Sequence, residues 1–193
     1  MKIAPQVWKN GEFIKWDDAQ IHIMSHVVNY GSSVFEGIRC YETSKGSAVF
    51  RLTEHMQRLV NSAKVYRMDP AYTRDDFCNA TVELIEKSGL ESCYIRPIVI
   101  RGLDMNKPSF GVYPLNNPVD SYVAAWQWGK YLGEEALESG IDVCVSSWTR
   151  ISSNSLPTMA KAGAMSMETM RACGCGLRRI FPWSMPGSAM SSV

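Results

Sequence analysis

Long apolar runs are missing from this sequence, and nothing in it approaches the length of a membrane span. The opening residues, Met1-Lys2-Ile3-Ala4-Pro5-Gln6, turn polar before an apolar signal core could form. A surplus of one charge sign is missing too. Lys and Arg number 20 against 19 Asp and Glu, with no block of like charge, so there is no electrostatic footprint for nucleic acid or an acidic membrane. Histidine is scarce, at three residues. Cys40, Cys78, Cys93, Cys144, Cys173 and Cys175 have neither paired metal spacings nor the density of a secreted disulfide scaffold. Internal repeats and low-complexity tracts are absent as well. These absences lead us to expect a cytoplasmic chain with reduced, mostly buried thiols and with neither nucleic-acid nor membrane partners. What is present, 193 residues of which 46% are hydrophobic, suits a packed core in one ordinary domain or two small ones.

Asn10-Gly11 between Val7-Trp8 and Phe13-Ile14 predicts a hairpin, because that pair accepts the positive φ angles of a tight turn. Residues 21–28 alternate imperfectly and predict a strand; His22 and His26 lack a third ligand, so a metal site is not expected. Tyr30-Gly31-Ser32-Ser33-Val34-Phe35-Glu36-Gly37 is a glycine-bounded loop whose two aromatics pattern alone leaves open as core plug or pocket wall. A strand at 38–41, a turn at 44–47 and a strand at 48–50 follow. Thr53 is placed to cap a helix running to Tyr66, with Met56, Leu59, Val60 and Ala63 as its apolar stripe. Arg58 lies off that stripe, where a solvated charge is the ordinary reading. Thr73 caps a second helix with the stripe Phe77, Ala80, Thr81, Leu84 and Ile85, and Gly89 closes it. Cys93 to Arg101 reads as a strand with Tyr94, Arg96, Ile98 and Ile100 on one face, and Pro97 marks an edge or a bulge. A long loop over 102–118 and a strand over 121–128 come next. A hinge at 129–133, a short helix at 134–139 and a strand at 141–146 complete the pattern.

After that strand, a polar Ser/Asn run with Pro157 can extend neither strand nor helix, so Lys161 follows a structured loop. Ala160, Ala162 and Gly163 are small enough to let a bulky planar group lie close to the backbone, as an amine that bonds an aldehyde requires. On residue statistics alone, a lysine in such company is more often a solvated surface lysine.

Resemblance points the other way. Trp148, Arg150, Asn154, Leu156-Pro157-Thr158 and Ala160-Lys161-Ala162-Gly163 resemble the lysine-bearing segment of the branched-chain amino acid aminotransferases, pyridoxal-phosphate enzymes of fold type IV. Four further stretches resemble the same family in the same order: His26 with Tyr30 to Arg39, Glu54 to Leu59, Tyr94-Ile95-Arg96-Pro97, and Trp128 to Gly133. Separated motifs in register, spanning residues 6–164, make a specific signal. The resemblance implies an α/β (α+β) chain of the fold type IV kind, with a small domain over 1–128, a linker at 129–133, and the beginning of the large cofactor domain over 134–193. It implies transamination of leucine, isoleucine and valine with 2-oxoglutarate, through a Schiff base between Lys161 and pyridoxal 5′-phosphate. Arg58 would contact the cofactor phosphate. Tyr30, Phe35, Gly37, Trp128 and Tyr131 would line the substrate pocket, and Arg96, with Tyr30 and Tyr131, would meet the distal carboxylate of glutamate. The family forms homodimers, so a homo-oligomer is expected.

The sequence also departs from the family. Where Ala-Gly-Gly-Asn-Tyr is expected after the lysine, the run is Ala162-Gly163-Ala164-Met165-Ser166, so Ser166 stands where a tyrosine would bond the cofactor's phenolic oxygen. Nothing after Arg171 resembles the family's glutamate for the pyridine nitrogen or its phosphate-cupping turns, and 165–193 reads as a divergent tail. We expect that the coding frame was lost near Ala164, or that the gene structure is faulty, with the chain stopping inside the second domain. Two other readings remain open: another fold type IV enzyme, either a D-amino acid aminotransferase or an aminodeoxychorismate lyase, and a non-catalytic remnant.

Overall fold

The computed structural model describes residues 2–129, 140 and 151–164. The residues up to Trp128, together with Met159–Gly163, form one compact unit; the remaining described residues, from Gly129 on, belong to a second. Of the second unit, the described part contains a turn in which the Ser155 and Leu156 N–H groups donate to the Ser152 carbonyl. The predicted helix at 134–139, the strand at 141–146, Trp148, Arg150 and the tail lie outside the described residues. So do Tyr131, Ser166, Cys144, Cys173 and Cys175. Among the described residues no helix is long and apolar enough to cross a membrane.

The first unit is built on an antiparallel sheet with its two long helices on one face. Its strands are β1 (Gln6–Lys9), β2 (Glu12–Lys15), β3 (Ser33–Phe35), β4 (Ile38–Thr43), β5 (Gly46–Val49), β6 (Cys93–Arg101) and β7 (Val119–Trp126). They lie in the order β2-β1-β7-β6-β4-β5, and β3 pairs with β6 beyond the end of β4. The predicted hairpin is present, with Asn10 at φ 47° and Gly11 at φ 93° in its two-residue turn. Helix α1 (His26–Tyr30) is short, whereas α2 (Leu52–Val65) and α3 (Arg74–Ser88) are the helices that cover the sheet. Thr73 and Asp76 form a capping box at the start of α3, and Gly89 ends it in the left-handed conformation, as the sequence predicts. Met56, Leu59 and Ala63 of α2 meet Phe77, Leu84 and Ile85 of α3 over Val34, Ile38, Ile95, Val99 and Val123 of the sheet. A smaller cluster on the opposite face joins Val7, Ile100 and Tyr122.

Three expectations need correction. Residues 21–28 do not form a strand: Ile21, Ile23 and Met24 are exposed, so no sheet face receives the alternating residues, and the chain instead turns into α1. Gly31, at φ 67°, ends that helix. Thr53 is not the cap of α2; Arg51 is, in the left-handed conformation, and its carbonyl accepts the His55 N–H at 3.1 Å. Pro97 is neither at an edge nor in a bulge. It lies in a central strand opposite Val123, and its carbonyl accepts the Glu36 N–H at 3.0 Å. The nitrogen of a strand residue faces the same neighbour as its carbonyl, so the missing N–H falls at the break between β3 and β4.

Candidate active site

Alternation along adjacent strands gathers one set of side chains on the sheet face turned away from α2 and α3. The register puts Arg39 of β4 opposite Tyr94 of β6, and Tyr94 opposite Trp126 of β7. The Tyr94 ring lies 5.0 Å from that of Trp126 and 4.7 Å from that of Trp128. The Arg96 guanidinium sits over three rings, at 4.7 Å from Phe35, 5.3 Å from Tyr94 and 5.9 Å from Trp126. Its Nη2 donates to the Tyr94 hydroxyl at 3.0 Å, and its Nε is buried with no hydrogen-bond partner among the described residues. Arg39 Nη1 donates to the Trp128 carbonyl at 3.2 Å, tying the end of β7 to β4. Gly37 is required by contact, because a Cβ there would lie 2.1 Å from the Tyr94 hydroxyl oxygen.

Lys161 joins this face from a distant part of the chain. Its carbonyl accepts the Phe35 N–H at 3.0 Å, its own N–H donates to Ser62 Oγ of α2 at 3.1 Å, and Ala162 bridges to Val34. The backbone at Lys161 is therefore held between β3 and α2, and its ammonium lies 5.2 Å from the centre of the Phe35 ring. Phe35 thus carries two cations near its π system, Lys161 and Arg96. The small residues around Lys161 serve packing within the chain. Ala160 and Ala162 are buried, and a Cβ on Gly163 would collide with Ser33 Oγ at 2.0 Å, so this space is filled by the protein's own β3.

Arg58 is not a solvated helix charge. Its Nε and Nη2 each donate to a Glu36 carboxylate oxygen at 2.5 Å, a bidentate pair, and His55 Nδ1 lies 3.0 Å from Oε2. The Glu36 side chain is 0% exposed and that of Arg58 34%. Burial alone would raise the Glu36 pKa, but hydrogen bonds from Arg58 and His55 outweigh it and hold the carboxyl below its ordinary range. The same pairing, in which Arg58 donates to Glu36, raises the pKa of Arg58.

Within this unit the structure brings together Phe35, Gly37, Arg96, Trp128 and Lys161. Arg58 stands on α2, one turn before the Ser62 that anchors Lys161. Tyr30 is turned elsewhere. Its hydroxyl donates to the Phe110 carbonyl at 3.1 Å, its ring packs 4.6 Å from that of His26, and it is 43% exposed. His26 in turn contacts Ser32 Oγ at 2.7 Å and the Val112 carbonyl at 3.0 Å. Around them Ile23, Val28, Phe110, Val112 and Tyr113 are also exposed, an apolar patch spread over α1, the residues before it and the 102–118 loop. The sequence pattern gave no site role to Glu36, His55, Tyr94, Trp126 or Ser62, although it put Tyr94 on one strand face with Arg96. Tyr94 and Trp126 were discoverable from strand alternation with Arg96 and Trp128. Glu36 had a signal as well: a carboxylate in phase with Val34 and Ile38 on a buried strand face requires a cation partner.

Residues 33–172 match the profile of the family described as amino-transferase class IV. The chain belongs to that family. The branched-chain-amino-acid aminotransferase of Escherichia coli (strain K12) is 46% identical over 172 residues, covering 88% of this chain and 54% of the relative. That of Salmonella typhimurium is 48% identical over 170 residues, with the same coverage. Among solved structures, the Escherichia coli branched-chain amino acid aminotransferase superposes with a TM-score of 0.83 at 45% identity, covering 93% of this chain and 59% of that one. A second branched-chain amino acid aminotransferase, from T.th. and solved with pyridoxamine 5′-phosphate, gives a TM-score of 0.82 at 42% identity, with 93% and 59% coverage. The chain thus spans about half the length of the curated relatives it matches. As a member of that family it has the mixed α/β, fold type IV architecture that the sequence resemblance implies.

Proposed function

We propose that this chain serves the transamination of branched-chain L-amino acids with 2-oxoglutarate, using pyridoxal 5′-phosphate held at Lys161. One observation carries the reading: the Lys161 amine is braced from two sides of its backbone and held beside Phe35, on a half-buried face that also bears Arg96 and a run of aromatic rings. The Arg58 guanidinium suits the phosphate of such a cofactor. Arg58 keeps the N–H groups of its guanidinium that Glu36 does not use, on a side chain one third exposed, for a phosphate. Bound pyridoxal 5′-phosphate supplies an aldehyde for the substrate amine and a ring that accepts electrons from the α-carbon.

The chain's own residues supply the rest. Lys161 Nζ takes up the proton of the substrate α-carbon and later releases it, acting as base and then as acid. Phe35, Trp128 and the Tyr94 and Trp126 rings exclude water from a branched aliphatic side chain, where each methylene contributes about 0.8 kcal/mol. Arg96, already bonded to the Tyr94 hydroxyl and carrying an unused Nε–H, meets the distal carboxylate when glutamate replaces leucine. In this reading residues 1–128 are the small domain, 129–133 the linker, and 134–193 the start of the cofactor domain. We place the protein in the cytoplasm as a homo-oligomer. Its partners are amino and 2-oxo acids, with neither nucleic acid nor a membrane among them.

Borohydride reduction with added pyridoxal 5′-phosphate, followed by peptide mapping, is the test. The expected result is a single modified residue, Lys161, in a protein that forms glutamate from leucine and 2-oxoglutarate. Label on a different lysine, or none, would overturn the reading in favour of a non-catalytic chain. Transfer from D-alanine but not leucine would move it to another fold type IV reaction.

A further inference from the structure

We propose that Glu36 is the positioning residue for the phosphate-binding arginine: its carboxylate fixes the Arg58 guanidinium in one plane, so that the unused N–H groups point at a single anion site. The inference rests on the reading of Arg58 as the phosphate ligand. Glu36 lies between Phe35 and Gly37, two residues of the site face, yet its side chain points to the opposite face of the sheet and is fully buried there. Its backbone is fixed by the Pro97 carbonyl at 3.0 Å, and its carboxylate receives Arg58 Nε and Nη2 together, with His55 Nδ1 at 3.0 Å.

Burying a carboxylate is costly, and apolar side chains could join the β3–β4 junction to α2 without that cost. An apolar contact cannot set the plane of a guanidinium, whereas a bidentate carboxylate does so with both donors of one edge. Removing the free rotation of Arg58 lowers what a phosphate must lose in entropy on binding. The opposing effect is electrostatic, since a buried anion beside Arg58 also repels a phosphate. The proposal states that orientation outweighs this repulsion. Arg58 and Ser62 stand four residues apart on one face of α2, and Ser62 Oγ accepts the Lys161 N–H at 3.1 Å. The Glu36 link therefore sets the helix face that carries both the anion-binding side chain and the anchor of the amine.

Glu36→Gln tests this, because an amide offers one acceptor where the guanidinium needs two and places an NH₂ group against its donors. Dissociation constants for pyridoxal 5′-phosphate and for pyridoxal, which lacks the phosphate, are to be measured by equilibrium dialysis on the full chain. Glu36→Gln is expected to weaken pyridoxal 5′-phosphate binding about 10-fold or more and to leave pyridoxal within about 2-fold, in line with loss of a charged hydrogen bond. In an Arg58→Ala background it should have no further effect. Unchanged or tighter pyridoxal 5′-phosphate binding, equal losses for both ligands, or a full additional loss on Arg58→Ala overturns the inference. If Arg58→Ala itself does not discriminate between the two ligands, the phosphate reading falls and takes the inference with it. Should Glu36→Gln not fold, Glu36→Asp replaces it; its shorter reach should give an intermediate, phosphate-selective loss, and an unselective one overturns the proposal.

Discussion

The two faces of the same strands are made of different chemistry. Val34, Ile38, Ile95, Val99, Val123 and Ala125 face the helices and are essentially without solvent contact. The residues between them, Phe35, Gly37, Tyr94, Arg96, Trp126 and Trp128, are half-buried and hold cations among rings. A period of two therefore separates the part of the sheet that stabilises the fold from the part available to a ligand. Glu36 is an exception on the helix face, a charge placed where its neighbours in phase are apolar.

The sharpest way to test that division is to truncate the helix side. Phe77→Ala, which empties the fully buried contact of α3 with Trp8, should cost about 3–5 kcal/mol in urea unfolding. Gly37→Ala comes next and is designed to break the comparison, since a site-face residue should here cost stability. Its new Cβ must displace the Tyr94 hydroxyl, and overpacking of that kind costs about 1–3 kcal/mol, with a measurable change in tyrosine and tryptophan fluorescence. Acid should then report on Glu36. Its folded pKa lies below the ordinary 4.5, so its stabilisation is complete above that value and drains away as pH falls below it through the lowered pKa. Glu36→Gln should flatten this part of the stability profile. The smallest effects are expected for the site-face cations. Lys161→Ala and Arg96→Met should each change stability by no more than about 0.5 kcal/mol. Lys161→Ala should nonetheless abolish borohydride labelling, and Arg96→Met should raise KM for glutamate far more than for leucine. A large loss of stability from either would blur the division between the faces.

Alkaline conditions probe both faces at once. Burial pushes the Cys93 thiol, on the helix face, up to about 12, and pushes the Tyr122 hydroxyl, on the other face, up to about 12, the latter with help from Asp120. Each stays protonated in the fold after its unfolded counterpart has ionised. Their contribution is therefore complete below the ordinary values of 9.0 and 10.0 and is lost progressively as pH rises toward 12.

Local chemistry determined a good part of this molecule. The Asn10-Gly11 turn, the Thr73 capping box, the Gly89 stop and the alternation of β6 follow from backbone preferences and side-chain period, and these act over a few residues. The motifs around Lys161, Arg58 and Arg96 were legible as a family pattern, and so was the fold type. What could not be read locally depends on neighbours far along the chain. Residues 21–28 alternate like a strand, but only the absence of a sheet to receive them made them a turn and a short helix. Arg58 looked solvated because its partner, Glu36, lies on another element. The Tyr30 hydroxyl donates to a carbonyl 80 residues further along, at Phe110, a contact that only the folded chain supplies. The amine at 161 is a reactive group by composition, but its place beside Phe35 was decided by backbone hydrogen bonds to β3 and α2, which exist only once the sheet and the helix have met.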